Sequence, residues 1–122
     1  MIKYLLSAII FVVLDGVYLN LIKGYFNKQI KSIQGSEIKP NFIAIGITYA
    51  FLIYGLNYFI IGKKRSVQDA ALLGLVIYGV YEFTNLSLLK NWSWITAIID
   101  TTWGTVLFAL TTAIVYKISA FF

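Results

Sequence analysis

The chain has no cysteine and no histidine. That excludes disulfides, thiolate and imidazole metal ligands, haem axial histidines and every Ser-His or Cys-His nucleophile pair. The patterns GxxxxGKS/T, GxGxxG and HExxH are missing as well, so nucleotide and zinc chemistry have no support. No cofactor is therefore expected, and no enzyme activity. Charge is scarce too: 12% of the residues are charged and 60% are hydrophobic. Proline occurs once, at Pro40.

What remains is apolar. With 122 residues and a mean hydropathy of +0.82, so much apolar surface does not fit inside one small soluble core, and a lipid bilayer is the expected partner. Four windows, 4–22, 42–62, 70–89 and 94–116, match the roughly 20 apolar residues that a helix needs to cross a hydrocarbon core about 30 Å thick. These predict an all-α fold: one membrane domain, 1–122, forming an antiparallel up-down four-helix bundle. The very short link after Lys90 makes a tight hairpin of the third and fourth helices. An interfacial loop is expected over 23–41. Within it Tyr25, Phe26, Ile30 and Ile33 recur at helix-like spacing among lysines, as in a segment at the headgroup boundary, or in an ordinary loop. Gly35 and Ser36 break that pattern, and Pro40 is placed to start the second helix, where its missing N–H costs nothing.

The start of the chain superficially resembles a signal peptide, Lys3 followed by YLLSAIIFVVL. The run continues past Asp15 through VYLNLI with no small-residue cleavage site, so an uncleaved helix is expected. No lipidation or targeting tail is recognisable. A net charge of +5 does not imply nucleic acid, since no basic patch is interleaved with stacking aromatics. Loop lysines and arginines instead anchor helices and set orientation. Four crossings put both termini on one side with Lys3, Lys63, Lys64, Arg65 and Lys117; the other side holds Lys23, Lys28, Lys31, Lys39 and Lys90. The totals tie, and the density of the KKR cluster favours cytoplasmic termini. Trp92 and Trp94 flank the hairpin turn and, with Lys63, Lys64 and Arg65, are expected to be interface anchors. The glycines at 46, 55, 74, 79 and 104 are expected to let helices approach.

Three acids interrupt the windows: Asp15, Glu82 and Asp100. Asp15 and Glu82 each lie eight residues before a boundary lysine, and Asp100 lies six after Trp94. At 1.5 Å rise per residue all three fall roughly 9 to 12 Å below the same surface, with Thr48 and Tyr49 of the second helix at comparable depth. In the third helix Tyr78, Glu82 and Asn85 make one polar stripe; in the fourth, Thr96, Asp100, Trp103, Gly104 and Thr111 share a face. Tyr81 and Thr84 adjoin the stripe and complete the candidate intramembrane polar layer. With no lysine or arginine in that layer, the acids must be protonated, share protons, accept hydrogen bonds from Tyr, Thr, Asn and Trp, or hold a cation or water. Such a carboxyl is suited to proton exchange near neutral pH.

The run YEFTNLSLLKNWSWITAIIDTTWG, with LDGVYL around Asp15 and the KPNFIAIGITYAF start of the second helix, resembles the four-helix membrane proteins grouped as domain of unknown function 2177. The residues carrying the resemblance are Asp15, Tyr81, Glu82, Thr84, Asn85, Leu86, Lys90, Trp92, Asp100, Trp103 and Gly104. Glu82 stands where that family often has Asp, and Tyr18 where Trp is frequent. The resemblance implies the fold and the choice of residues, and leaves function to physical argument.

Two readings follow. In one, the acids bind and release a proton or cation in a small transporter or channel-like element, tuned by Asn85, Tyr81 and Thr84; so narrow a bundle would draw on a homodimer or another membrane protein for a pathway. In the other, a non-catalytic structural or assembly subunit uses the acids as interhelical hydrogen-bond glue. Neutralising the acids abolishes flux under the first and alters folding or assembly under the second. Oxygen-only acids also suit Mg²⁺ or Ca²⁺ in a lipid-modifying enzyme. Nothing resembles a nucleophile with an activating base, however, and the layer is deep for headgroup chemistry.

Overall fold

The computed structural model describes residues 2–36 and 40–121; Lys39, one of the lysines counted above, lies outside the described residues. Four helices follow in order: α1 (Ile2–Gln34), α2 (Phe42–Leu56), α3 (Val67–Leu88) and α4 (Trp94–Ser119). α2 continues through one π-helical turn, Asn57–Ile61, before the chain reverses. All four spans are long and apolar enough to cross a membrane.

The expected loop over 23–41 is mostly helix. α1 runs unbroken for 33 residues, about 50 Å at 1.5 Å per residue, well beyond the roughly 30 Å of a hydrocarbon core. Hydrophobicity falls after Ile22, but that fall marks the end of the apolar stretch, and residues 23–34 contain no proline to stop the helix. The stop comes at Gly35, whose φ of +75° is a left-handed conformation that glycine adopts freely. Its N–H donates to the Lys31 carbonyl at 2.9 Å. The later helices start on polar caps. Side-chain oxygens of Asn41, Ser66 and Ser93 accept from the backbone N–H groups of Ala44 (3.1 Å), Asp69 (3.0 Å) and Thr96 (3.0 Å). Each such cap is worth about 1 kcal/mol. Pro40 thus lies just before the cap of α2 and not at its first helical position, because Asn41 supplies the oxygen that α2 needs.

The ends of the bundle confirm the up-down order. Lys3, Lys64, Tyr116 and Ser119 border one crevice, and the Tyr116 hydroxyl donates to the Arg65 carbonyl at 2.6 Å. At the opposite end, the extension of α1 meets the hairpin between α3 and α4: the Thr96 hydroxyl donates to Gln29 Oε1 at 2.8 Å and lies 2.9 Å from the Tyr25 hydroxyl. The Gln29 amide also donates to the Asn91 carbonyl, and Asn91 turns the hairpin with a φ of 69°.

α4 occupies the centre. It pairs closely with α3, α1 packs on it, and α2 lies on α1. Two glycines make the α3–α4 approach possible: a Cβ at Gly104 would overlap the Tyr78 ring, and one at Gly74 would overlap the Gly104 carbonyl and Phe108. Gly46 and Gly55 face open space, so the expectation that they bring helices together fails; their helix meets few neighbours. Aromatic edges fill the middle, with Phe11 edge-on to Tyr49 at 6.2 Å and to Phe108 at 5.5 Å between ring centroids. Near the terminal end, the Asn57 amide donates to the Ser7 hydroxyl at 2.8 Å and to the Ile53 carbonyl at 2.9 Å, so the π turn carries a polar link between α1 and α2.

Candidate functional site

All three acids are buried: Glu82 is 1% exposed, Asp15 8% and Asp100 9%. Helical spacing placed them on core faces, and aromatic side chains now join them into one layer. Asp15 of α1 accepts from the Tyr49 hydroxyl of α2 at 2.5 Å on Oδ2 and from the Trp103 indole of α4 at 2.9 Å on Oδ1. Trp103 stacks on Tyr18, with centroids 4.6 Å apart and planes 6° from parallel. The Tyr18 hydroxyl in turn donates to Asp100 Oδ1 at 3.1 Å. Asp100 faces Glu82, and Glu82 Oε1 accepts from the Trp92 indole at 3.0 Å.

The two ends of this chain differ. Both Asp15 oxygens hold a donor. Glu82 Oε2 is buried and finds no donor among the described residues, and the neighbouring Asp100 is a second carboxyl, itself an acceptor. Two facing carboxyls need a shared proton, or a donor brought in from outside. A cavity of about 340 Å³ reaches this pair through the cleft that α1 and α3 leave beside α4. Its α1 wall is Leu19, Ile22, Lys23, Phe26, Asn27 and Ile30, and Tyr81, Glu82, Trp92 and Asp100 close the other side. Among the described residues no three carboxylates gather into a set able to hold a metal ion.

The structure sorts the residues singled out in the sequence. Trp103 and Tyr78 lie inside the bundle, Trp103 on Asp15 and Tyr78 over Gly104. Asn85 is half-buried. Tyr81 is 58% exposed and Thr84 is exposed, so neither belongs to an inward polar layer; one step along a helix from Glu82 turns a side chain by about 100°. Tyr81 reaches the site only as part of the cavity wall. Thr48 is exposed and its hydroxyl returns to the Ala44 carbonyl. Trp92 is not an interface anchor: at 7% exposure its indole is turned inward onto Glu82, whereas Trp94, at 67%, remains on the surface. Lys63, Lys64 and Arg65 are exposed in the α2–α3 turn, Lys63 over the Tyr58 ring at 4.7 Å and Arg65 3.8 Å from Asp69.

Four contributors escaped the sequence reading. Tyr18, noted only as a departure from a family pattern, links Trp103 to Asp100. Lys23, assigned to a loop, lines the same cavity as the acids, so a basic side chain does border the layer. Gln29 was hidden by the loop assignment. Asn57 was legible as the lone amide in an apolar window, and passed unremarked.

Four helices long and apolar enough to cross a membrane, around buried polar side chains, have the pattern of polytopic helical membrane proteins. The sequence profile of the family described as "Predicted membrane protein", domain of unknown function 2177, matches residues 1–117, and the chain belongs to that family. No curated protein and no solved structure matches it.

Proposed function

We propose that this protein is a small, non-enzymatic membrane transport element that handles a proton or a cation at an intramembrane carboxyl pair, Glu82 and Asp100. The observation carrying this reading is the buried Glu82 Oε2, which has no donor among the described residues, in a carboxyl that borders the same cavity as Asp100. A proton held between the two carboxyls can leave when a cation takes its place, and return when the cation departs. Asp15 plays a different part. With a donor on each oxygen, from Tyr49 and Trp103, it clamps α1 to α2 and α4. The termini and the 63–65 turn would lie on the cytoplasmic side, and a second copy would widen the pathway.

The structural reading has support of its own in the Asp15 clamp, which is interhelical hydrogen-bond glue. Proton and cation flux into proteoliposomes separates the two. Transport at the pair predicts flux in native protein that disappears in Glu82→Gln and Asp100→Asn and survives in folded Asp15→Asn. Absence of flux from folded native protein would leave the subunit role.

A further inference from the structure

The cavity leading to Glu82 is larger than proton exchange requires. A proton needs only a chain of hydrogen-bonding groups, whereas about 340 Å³ with a largely apolar α1 wall is the lower end of small-molecule pockets. A hydrated metal ion fits poorly, because hard cations take six or more oxygens and this cavity offers two carboxyls already bonded to Trp92 and Tyr18. Leu19, Ile22 and Phe26 recur at helical spacing along one wall and give an apolar body a surface to lie on. Tyr81 and Trp92 line the cavity beside the acid, Trp92 with its indole N–H on Glu82 Oε1. Glu82 itself, 1% exposed, needs an N–H or O–H to satisfy Oε2, and a ligand supplies one once the carboxyl turns toward the cavity. Lys23 does not serve it: its exposed side chain has no ion pair with either acid, and its long stem lets the ammonium stay near water.

We propose that the cleft between α1 and α3 binds a small monovalent ammonium ion with an apolar body, its N–H donors on Glu82 and its body along Leu19, Ile22 and Phe26. This deepens the transport reading and rests on it for the exchange of the bound group. The unpartnered acceptor makes the preference specific. A primary or secondary ammonium supplies the missing donor; a quaternary ammonium of the same apolar size brings charge without one. A second positive charge on the ligand would meet Lys23 at the cavity wall.

The test is equilibrium binding to the full chain in lipid nanodiscs, with phenethylammonium as the probe. The trimethylated analogue and 2-phenylethanol serve as comparisons. Native protein should bind the primary ammonium saturably and about tenfold or more tighter than either, the loss expected when a charge-assisted hydrogen bond is removed. Glu82→Gln should weaken it by a similar factor. Leu19→Trp fills the cavity from a half-exposed wall position without touching the acids, and should also abolish saturable binding. Equal affinity for the primary and quaternary ions, or binding indifferent to both substitutions, would overturn the proposal. Glu82-dependent proton flux without saturable ammonium binding would sink the ligand and keep the transport reading. Saturable, Glu82-dependent binding without any flux would do the reverse.

Discussion

Asp15 and the Glu82–Asp100 pair occupy one layer of the same bundle and share an aromatic relay, yet their surroundings differ. Asp15 sits where three helices meet, each oxygen held by a donor from a different neighbour. Glu82 sits where α3 and α4 approach but α1 leaves a cavity, so one oxygen is served and the other has no donor among the described residues. Identical chemistry in the sequence thus becomes a closed node and an open one. What distinguishes them is the donors within reach rather than exposure: Asp15 has one on each oxygen, and Glu82, the more deeply buried, has one for two.

The sharpest way to break this comparison is neutralisation of each node. Glu82→Gln should abolish proton flux while leaving the unfolding midpoint unchanged or slightly raised, by up to about 1 kcal/mol, because an amide both accepts from Trp92 and donates to Asp100. Unfolding in mixed micelles followed by circular dichroism checks the second half; a large destabilisation would make the open node structural. Asp15→Ala should behave oppositely. It strands the Tyr49 hydroxyl and the Trp103 indole inside the bundle and should cost about 3 kcal/mol in the same assay. A loss below about 1 kcal/mol would mean that the clamp carries little.

Smaller substitutions sharpen the contrast. Tyr49→Phe removes one donor from Asp15 and should cost about 1 kcal/mol with flux retained, measured on the same preparations. Tyr18→Trp should have the least effect. An indole keeps a stacking face for Trp103 and an N–H for Asp100, so stability should stay within about 0.5 kcal/mol of native. A larger loss would show that the relay depends on the phenol's reach.

Much of the fold was legible in the chain because crossing a bilayer constrains composition and length together. The four long apolar helices and the tight hairpin follow from apolar runs and short links. The extension of α1 was not, since hydropathy reports where lipid ends and says nothing of where helical hydrogen bonding ends; Gly35 carried the true signal. Trp92 was misassigned for a similar reason. An indole beside a turn fits an interface by position alone, and only the approach of α3 to α4 turns it onto Glu82.

The sequence by itself determined that the chain is a bundle of apolar helices with Asp15, Glu82 and Asp100 in one buried layer, because helix geometry converts residue spacing into depth and facing. Only the tertiary structure decided which acid has a donor on each oxygen, that Tyr18 and Trp103 connect them, and that Lys23 and Glu82 share a cavity. Those are contacts between helices, set by how closely Gly74 and Gly104 let α3 settle on α4 and by the cleft left where α1 does not follow. Spacing along one helix carries no record of the distance to another.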